Sequence, residues 1–302
     1  MVIKKYFKSL IAATLIGITV FSPINNVSYS QPKNLIFNNL DIEQSISKSS
    51  VDIIFQDSKG YIWLGTNDGL NRYNGYEFKI YNYEEYENSI SGNRITDITE
   101  DNHGNIWVNT SADEIFNYTE LNEKINEDST TEIIVTQDNK ILVGTYEGLN
   151  LYNTKEDRFE LILEQKDGIL SSCIYAISED RNGDIWIGTE AGINKLSNDF
   201  KILESYPINA KENSLGESEI YNILCDDENG FVWAGSDNSG LLRIDTKTKK
   251  VKQYINNPDD KNSLLGNQVG DVLRDSKGNL WGGTTDGLAR YNEEKDNFDI
   301  YK

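Results

Sequence analysis

The chain has 302 residues, 37% hydrophobic and 11% aromatic, so it carries enough apolar surface to build a core and is not disordered on compositional grounds. Its formal net charge of −20 repels phosphate backbones and anionic lipid, which excludes nucleic acid as a partner. A length of 302 residues fits one large all-β domain or two ordinary ones, and internal repetition has to decide between them.

Residues 1–30 read as an export signal. Lys4, Lys5 and Lys8 precede an apolar run of 12 residues from Leu10 to Phe21, then Pro23, then Ser28-Tyr29-Ser30 with small residues three places and one place before Gln31. The run is short of the roughly 20 residues that span a bilayer. An uncleaved anchor is the alternative, and it or regions missing beyond the C-terminus would be the membrane link. Losing the segment takes the charge from −20 to −23, because it holds three lysines and no acid. The remainder, 31–302, is expected to lie outside the cytoplasm, secreted or on the cell surface.

Leu35-Ile36-Phe37-Asn38-Asn39-Leu40 has the character of a strand without a blade of its own. Beyond it a unit of roughly 45 residues recurs six times, over approximately 50–93, 94–129, 130–171, 172–217, 218–267 and 268–302. Asp57-Ser58-Lys59-Gly60-Tyr61-Ile62-Trp63-Leu64-Gly65-Thr66 aligns with Asp101–Thr110, with Asp180–Thr189, with the run from Asp227 through Trp233, and with Asp275–Thr284. Trp63, Trp107, Trp186, Trp233 and Trp281 share one repeat position, and Leu142 takes it in the third copy, where Asp138-Asn139-Lys140 reads as a shortened turn. Steps of 44, 35, 44, 47 and 48 between these positions suit four-stranded blades, so the fold is read as an all-β propeller of six blades, or an incomplete seven-bladed one.

Each repeat parses into four strands. Strand A, such as Val51–Phe55, ends in an Asp-x-x-Gly turn, in which the carboxylate accepts backbone N–H bonds and Gly tolerates positive φ. Strand B is the Ile-Trp-x-Gly-Thr segment and closes in an acid-glycine turn such as Asn67-Asp68-Gly69. Strand C follows (Leu70–Tyr73, Leu149–Tyr152, Leu288–Tyr291), and strand D carries an aromatic (Phe78–Tyr81, Phe159–Leu161, Phe298–Tyr301). A tryptophan recurring once per blade is expected to pack between neighbouring blades rather than to stack on sugars. The strand count exposes a mismatch, because seven D strands face six A–B–C sets. A truncated chain lacking part of a seventh blade accounts for this; six blades closing alone is the alternative.

The pattern Asp-x-x-Gly-x-Ile-Trp-x-Gly-Thr-x-x-Gly-Leu-x-Arg-Tyr, nearly whole at Asp57–Tyr73 and Asp275–Tyr291, resembles the two-component regulator propeller repeat over about residues 35–302. The resemblance implies the extracytoplasmic sensor region of a bacterial hybrid histidine kinase or diguanylate cyclase, with the transmitter and membrane span outside this chain. The ligand-binding part of such a receptor is expected to take a small polar or glycan-derived ligand. A stand-alone secreted propeller that docks a protein partner or forms a homodimer is the alternative, and a propeller glycosidase or lyase a weaker one.

Turns alternate between faces in a four-stranded meander, so B–C turns and D-to-A crossings share one face. That face gathers Asp68, Glu147, Glu190, Asp237 and Asp286 from B–C turns, with Asn93, Arg94, Tyr175, Tyr221, Asn267 and Gln268 near the starts of A strands. The ligand candidates are Asp68, Asn93, Arg94, Tyr175, Tyr221, Asn267, Gln268 and Asp286, placed near the axis where propellers hold ligands. No catalytic residue, cofactor or metal is implied. The sole histidine, His103, has no repeat counterpart, and Asp180-Arg181-Asn182-Gly183-Asp184 misses the spacing of a calcium loop. Cys173 and Cys225 fall at strand positions too far apart for a disulfide and are expected as buried free thiols.

Overall fold

The computed structural model describes residues 50–83, 89–110, 130–208 and 218–301, together with the backbone of Ile115–Asn117. The export signal and the strand expected at 35–40 lie outside the described residues. Six antiparallel sheets follow one another along the chain. Blade 1 contains β1 (Val51–Gln56), β2 (Ile62–Thr66), β3 (Gly69–Tyr73) and β4 (Phe78–Tyr81), and blade 2 contains β5 (Ile95–Glu100), β6 (Ile106–Thr110) and β7 (Ile115–Asn117). Blade 3 contains β8 (Thr130–Val135), β9 (Ile141–Thr145), β10 (Leu149–Asn153) and β11 (Arg158–Leu163), and blade 4 contains β12 (Ile174–Glu179), β13 (Ile185–Thr189), β14 (Gly192–Leu196) and β15 (Ile202–Pro207). Blade 5 contains β16 (Ile220–Asp226), β17 (Phe231–Ser236), β18 (Leu241–Asp245) and β19 (Val251–Tyr254), and blade 6 contains β20 (Val269–Arg274), β21 (Leu280–Thr284), β22 (Gly287–Asn292) and β23 (Asn297–Tyr301).

Five sheets therefore have the expected four strands, and blade 2 shows three, the stretch where its fourth was expected lying outside the described residues. One single-turn 3-10 helix, Gln165–Asp167, sits in the crossing between blades 3 and 4.

The repeat motif has a physical cause at each position. In blades 1, 2, 4 and 6 one oxygen of the turn Asp accepts two backbone N–H bonds of 2.8–3.1 Å from its own turn. Its other oxygen accepts the indole N–H of the blade's tryptophan, at 2.8 Å for Trp63, 3.2 Å for Trp107 and Trp186, and 3.0 Å for Trp281. Gly60 closes the first of these turns with φ of 87°, a value that suits glycine. Blade 3 changes both ends of the contact together. Its turn is of full length rather than shortened, with Thr136 in the place of the Asp and Asn139, at φ 64°, in the place of the Gly. The Thr136 hydroxyl accepts the Lys140 N–H, and the Leu142 side chain, unlike an indole, has no N–H that needs an acceptor.

Four of the five tryptophans bury themselves against the following blade, as expected of inter-blade packing. Trp63 packs with Ile95 and Val108, Trp107 with Ile133 and Val143, Trp186 with Ile220 and Ile244, and Trp233 with Val269 and Phe298. Leu142 does the same with Ile174 and Ile187. The glycine of strand B lets the blades approach: a Cβ on Gly188 would meet Ile220 at 2.7 Å, and one on Gly235 would meet the Val269 carbonyl at 2.6 Å.

The junction from blade 6 to blade 1 differs from the other five. Neighbouring A strands pack from β1 through β5, β8, β12 and β16 to β20, and no packing of that extent joins β20 or β21 to β1 among the described residues. A Cβ on Gly283 would meet only its own blade, at 3.8 Å. Trp281 and Val51 are half-buried, whereas their counterparts in the other blades are buried.

Both cysteines are free. They are half-buried rather than buried, Cys173 beside the start of β12 and Cys225 against the blade 5 core, where burial pushes its thiol well above the ordinary value.

The turn carboxylates make stability depend on acid. Burial alone would raise Asp101, Asp180 and Asp275, but hydrogen bonds from neighbouring amides, from the indoles and, for Asp180, from Lys195 outweigh it and hold all three below 3.8. A carboxyl whose folded value is depressed contributes stability that is complete above its unfolded value and disappears as pH falls through the folded one. Urea midpoints are therefore expected to hold from about pH 7 to 5 as far as these groups act, and to fall below about pH 4. A midpoint unchanged at about pH 2.5 would contradict the assignment.

Candidate functional site

All six A strands carry a β-bulge at the same place. Pairing with strand B shifts between the first and third residues of each strand, between Val51 and Ile53 in blade 1 and between Ile174 and Ala176 in blade 4, for example. The first residue stays paired with the Thr or Ser that ends strand B. In five blades that hydroxyl donates to the glycine carbonyl of the B–C turn, at 2.8–3.1 Å, which explains the Gly-Thr of the repeat. The second residue is left out of the ladder, and a bulge re-aims its side chain. These residues are Asp52, Thr96, Thr131, Tyr175, Tyr221 and Gly270, a rim around the axis on the crossing face. The backbone device is constant and its side chain changes from blade to blade.

Blades 4 and 5 place tyrosines there, and the preceding blade adds a third. Tyr146, from the B–C turn of blade 3, lies 5.9 Å from Tyr175 between ring centroids at 70°, and Tyr175 lies 5.5 Å from Tyr221 at 82°. Tyr146 is 47% exposed and the other two are half-buried, so the ladder faces solvent. Carboxylates flank it. Glu219 accepts the Tyr221 hydroxyl at 2.7 Å, Glu190 accepts Ser171 Oγ at 2.8 Å, and Asp237 accepts the Gln268 amide at 2.8 Å. Burial, with Glu219 and the other neighbouring negative groups, pushes Tyr175 up to about 12, and burial with Glu219 raises Tyr221 further, so both phenols are neutral near pH 7. Cys173 Sγ reaches the Tyr146 carbonyl at 3.6 Å, and burial with Glu190 raises its thiol too.

The structure brings Tyr175, Tyr221 and, through Asp237, Gln268 into this cluster. Asn93 and Asn267 hold the chain instead: each accepts a B–C glycine N–H on its carbonyl, from Gly69 at 2.7 Å and Gly240 at 2.8 Å. Their side chains accept the N–H of Tyr83 at 2.6 Å and of Asn256 at 2.7 Å. Asp68 and Asp286 are exposed in B–C turns, with backbone N–H bonds to Thr66 and Thr284, and Arg94 is exposed before β5. Tyr146, Glu219 and Cys173 join the rim although the sequence did not single them out for it. Their signal was alignment: Tyr146 shares its repeat position with Glu190 and Asp237, and Glu219 precedes strand A just as Cys173 does.

Below the rim the A strands enclose a channel of about 240 Å³, lined by residues such as Ile53, Asp97, Glu132, Asn222 and Asp271. Three of its polar side chains lock adjacent blades, because Asp97 accepts the Ile133 N–H at 3.0 Å, Glu132 that of Ile177 at 3.2 Å and Asn222 that of Val272 at 3.1 Å. On the opposite turn face, Lys195 Nζ sits between Asp180 and Asp184 at 3.0 and 2.8 Å, in the loop that loosely matched a cation site. No group of acids, histidines and cysteines suited to a metal occurs among the described residues. Nor is any helix among them long and apolar enough to cross a membrane.

Comparison with known proteins agrees with this architecture. A histidine kinase of Formosa agariphila is 32% identical over 166 residues, which is 52% of this chain and 12% of that protein. The extracellular domain assigned to a hybrid two component system of B. thetaiotaomicron superimposes with a TM-score of 0.67 at 22% identity, over 85% of this chain and 34% of that one. PorZ, a surface component of the type-IX secretion system of Porphyromonas gingivalis, superimposes with a TM-score of 0.63 at 20% identity, over 82% and 40%. The chain thus spans well under half the length of each of these proteins, and the two structures establish likeness of fold. The two component regulator propeller model matches residues 45–68, 89–112, 168–191 and 263–286, each a segment that runs through strands A and B. Four of the six repeats of this chain, each with an Asp-anchored tryptophan and a bulged A strand, thus match the two component regulator propeller family.

Proposed function

We propose that this chain is the ligand-binding propeller of an extracytoplasmic signal-transduction receptor, and that the rim formed by Tyr146, Tyr175 and Tyr221 is where a small ligand is held. One observation carries the reading: a bulge repeated in six blades projects aromatic side chains in two adjacent blades only, and there they meet a third tyrosine in a solvent-facing cluster. Rings of this kind offer contact area at low entropic cost, and bulges concentrate where side chains are re-aimed for function.

A thermal-shift screen of small sugars, amino acids and amines on the full chain, repeated on a Tyr175→Ala/Tyr221→Ala variant, tests it. The parent is expected to shift with at least one class and the variant to lose that shift, while its own melting temperature stays within about 3 °C, since both rings are half-buried. A ligand that stabilises parent and variant equally would move the site elsewhere.

The open flank favours a second reading for that surface alone. Val51 and Gly283 keep the knob and the hole that are joined at four of the other five junctions, and we infer that a further blade seats there in a longer receptor. If the flank instead docks a second copy, light scattering would show a concentration-dependent dimer and Gly283→Trp would abolish it.

A further inference from the structure

The rim selects ligands by charge. Glu190, Glu219 and Asp237 stand beside the tyrosines, and each is held by a neutral donor: Ser171 Oγ, the Tyr221 hydroxyl and the Gln268 amide. None of the three takes part in an ion pair among the described residues, although fourteen ion pairs occur elsewhere in them. The rings are also arranged for a compact group rather than a flat one. Successive tyrosines meet at 70° and 82°, so they form the walls of a corner, whereas a sugar ring stacks on an open face. A corner of electron-rich faces edged by carboxylates attracts a cation twice, through the ring quadrupoles and through direct charge.

We infer that the ligand of this rim presents a small organic cation, an ammonium or substituted ammonium group, to the corner formed by Tyr146, Tyr175 and Tyr221. The inference rests on the rim being the binding site. The tyrosine corner supplies the seat, and the carboxylates fix the sign of what occupies it. An anionic ligand would have to approach three uncompensated carboxylates. The rim's one described arginine, Arg94, stands on blade 2, two blades away from blade 4, which carries Tyr175.

Matched pairs test the charge directly. Calorimetric titration of the full chain would use choline against its uncharged carbon isostere 3,3-dimethylbutan-1-ol, glucosamine against N-acetylglucosamine, and putrescine against butane-1,4-diol. At least one cation is expected to bind about tenfold more tightly than its neutral partner. Glu219→Gln is expected to reduce that preference several-fold without lowering the melting temperature, because the amide can still accept the Tyr221 hydroxyl. If neutral members bind as tightly as their cations, and Tyr175→Ala abolishes both, the charge inference is overturned while the rim keeps its role. If no probe binds, or binding survives Tyr175→Ala unchanged, the rim assignment falls as well.

Discussion

Trp186→Ala is expected to lower the stability of the propeller by roughly 3–5 kcal/mol. Trp186 is fully buried, stacked on Tyr206 at 6.0 Å, with the Lys195 ammonium 5.2 Å from its ring centroid. It also fills the junction with blade 5 against Ile220, Ile223 and Ile244. Truncation removes that volume from a site with rigid strands on both sides, and it takes away the indole N–H that Asp180 accepts at 3.2 Å. A void and a lost buried hydrogen bond add to each other. Trp281→Ala supplies the internal control, since the same motif residue faces the open flank and is only half-buried. Its loss is expected to cost about half as much. Urea melts of the two variants decide the matter: equal losses would mean that the following blade does not govern the contribution, and a Trp186→Ala melt that matches the parent would refute inter-blade packing outright.

The repeat makes the architecture legible in the sequence, and the reason is physical. Asp57, Gly60, Trp63, Gly65 and Thr66 each answer a demand that returns in most of the blades: a capped turn, a positive φ, a wedge between blades, a close approach and an anchored B–C turn. Demands of this kind leave a period in the sequence. The blade 3 turn shows where such a reading slips. Alignment on Asp138 produced a short turn, whereas Thr136 performs the carboxylate's capping role with a hydroxyl and Asn139 takes the left-handed conformation. The bulges were invisible because they are a matter of register, and no residue type marks them: the bulged position holds Asp, Thr, Tyr and Gly in different blades. Tyr175 and Tyr221 could still be selected from their place at the top of strand A. That Tyr146 completes the cluster depends on how far one blade's turn reaches over the next, which spacing does not encode. Asn93 and Asn267 hold comparable positions in the sequence, and in the structure they tie crossings to B–C turns.

Blade 5 departs from the motif, and from this departure comes the second large expected effect, a loss of about 3–5 kcal/mol on Asp226→Ala. In blades 1, 2, 4 and 6 the turn carboxylate accepts backbone N–H groups of its own turn; Asp226, which is 3% exposed, accepts Arg274 from blade 6 instead. Arg274 Nε reaches one oxygen at 2.8 Å and a terminal nitrogen binds the other, while Asn229 donates at 3.0 Å and Trp233 at 3.3 Å. A forked guanidinium on a carboxylate is strong and directional, and here it fastens blade 5 to blade 6. Removing the carboxylate would strand the Arg274 charge, whose side chain is 19% exposed, with only Glu293 and the Gly278 carbonyl as partners. The cost of breaking a buried pair comes chiefly from the charge left behind, so replacing both partners restores much of the loss. Asp226→Ala and Arg274→Met are each expected to destabilise, and the double variant to fall well short of their sum, with a coupling of about 1–3 kcal/mol in a double-mutant cycle. The coupling should change little between low and high salt, because the pair is shielded from solvent ions. Additive single effects, or a coupling that disappears in salt, would mean that the contact is a surface pairing and that apolar packing alone holds blades 5 and 6 together.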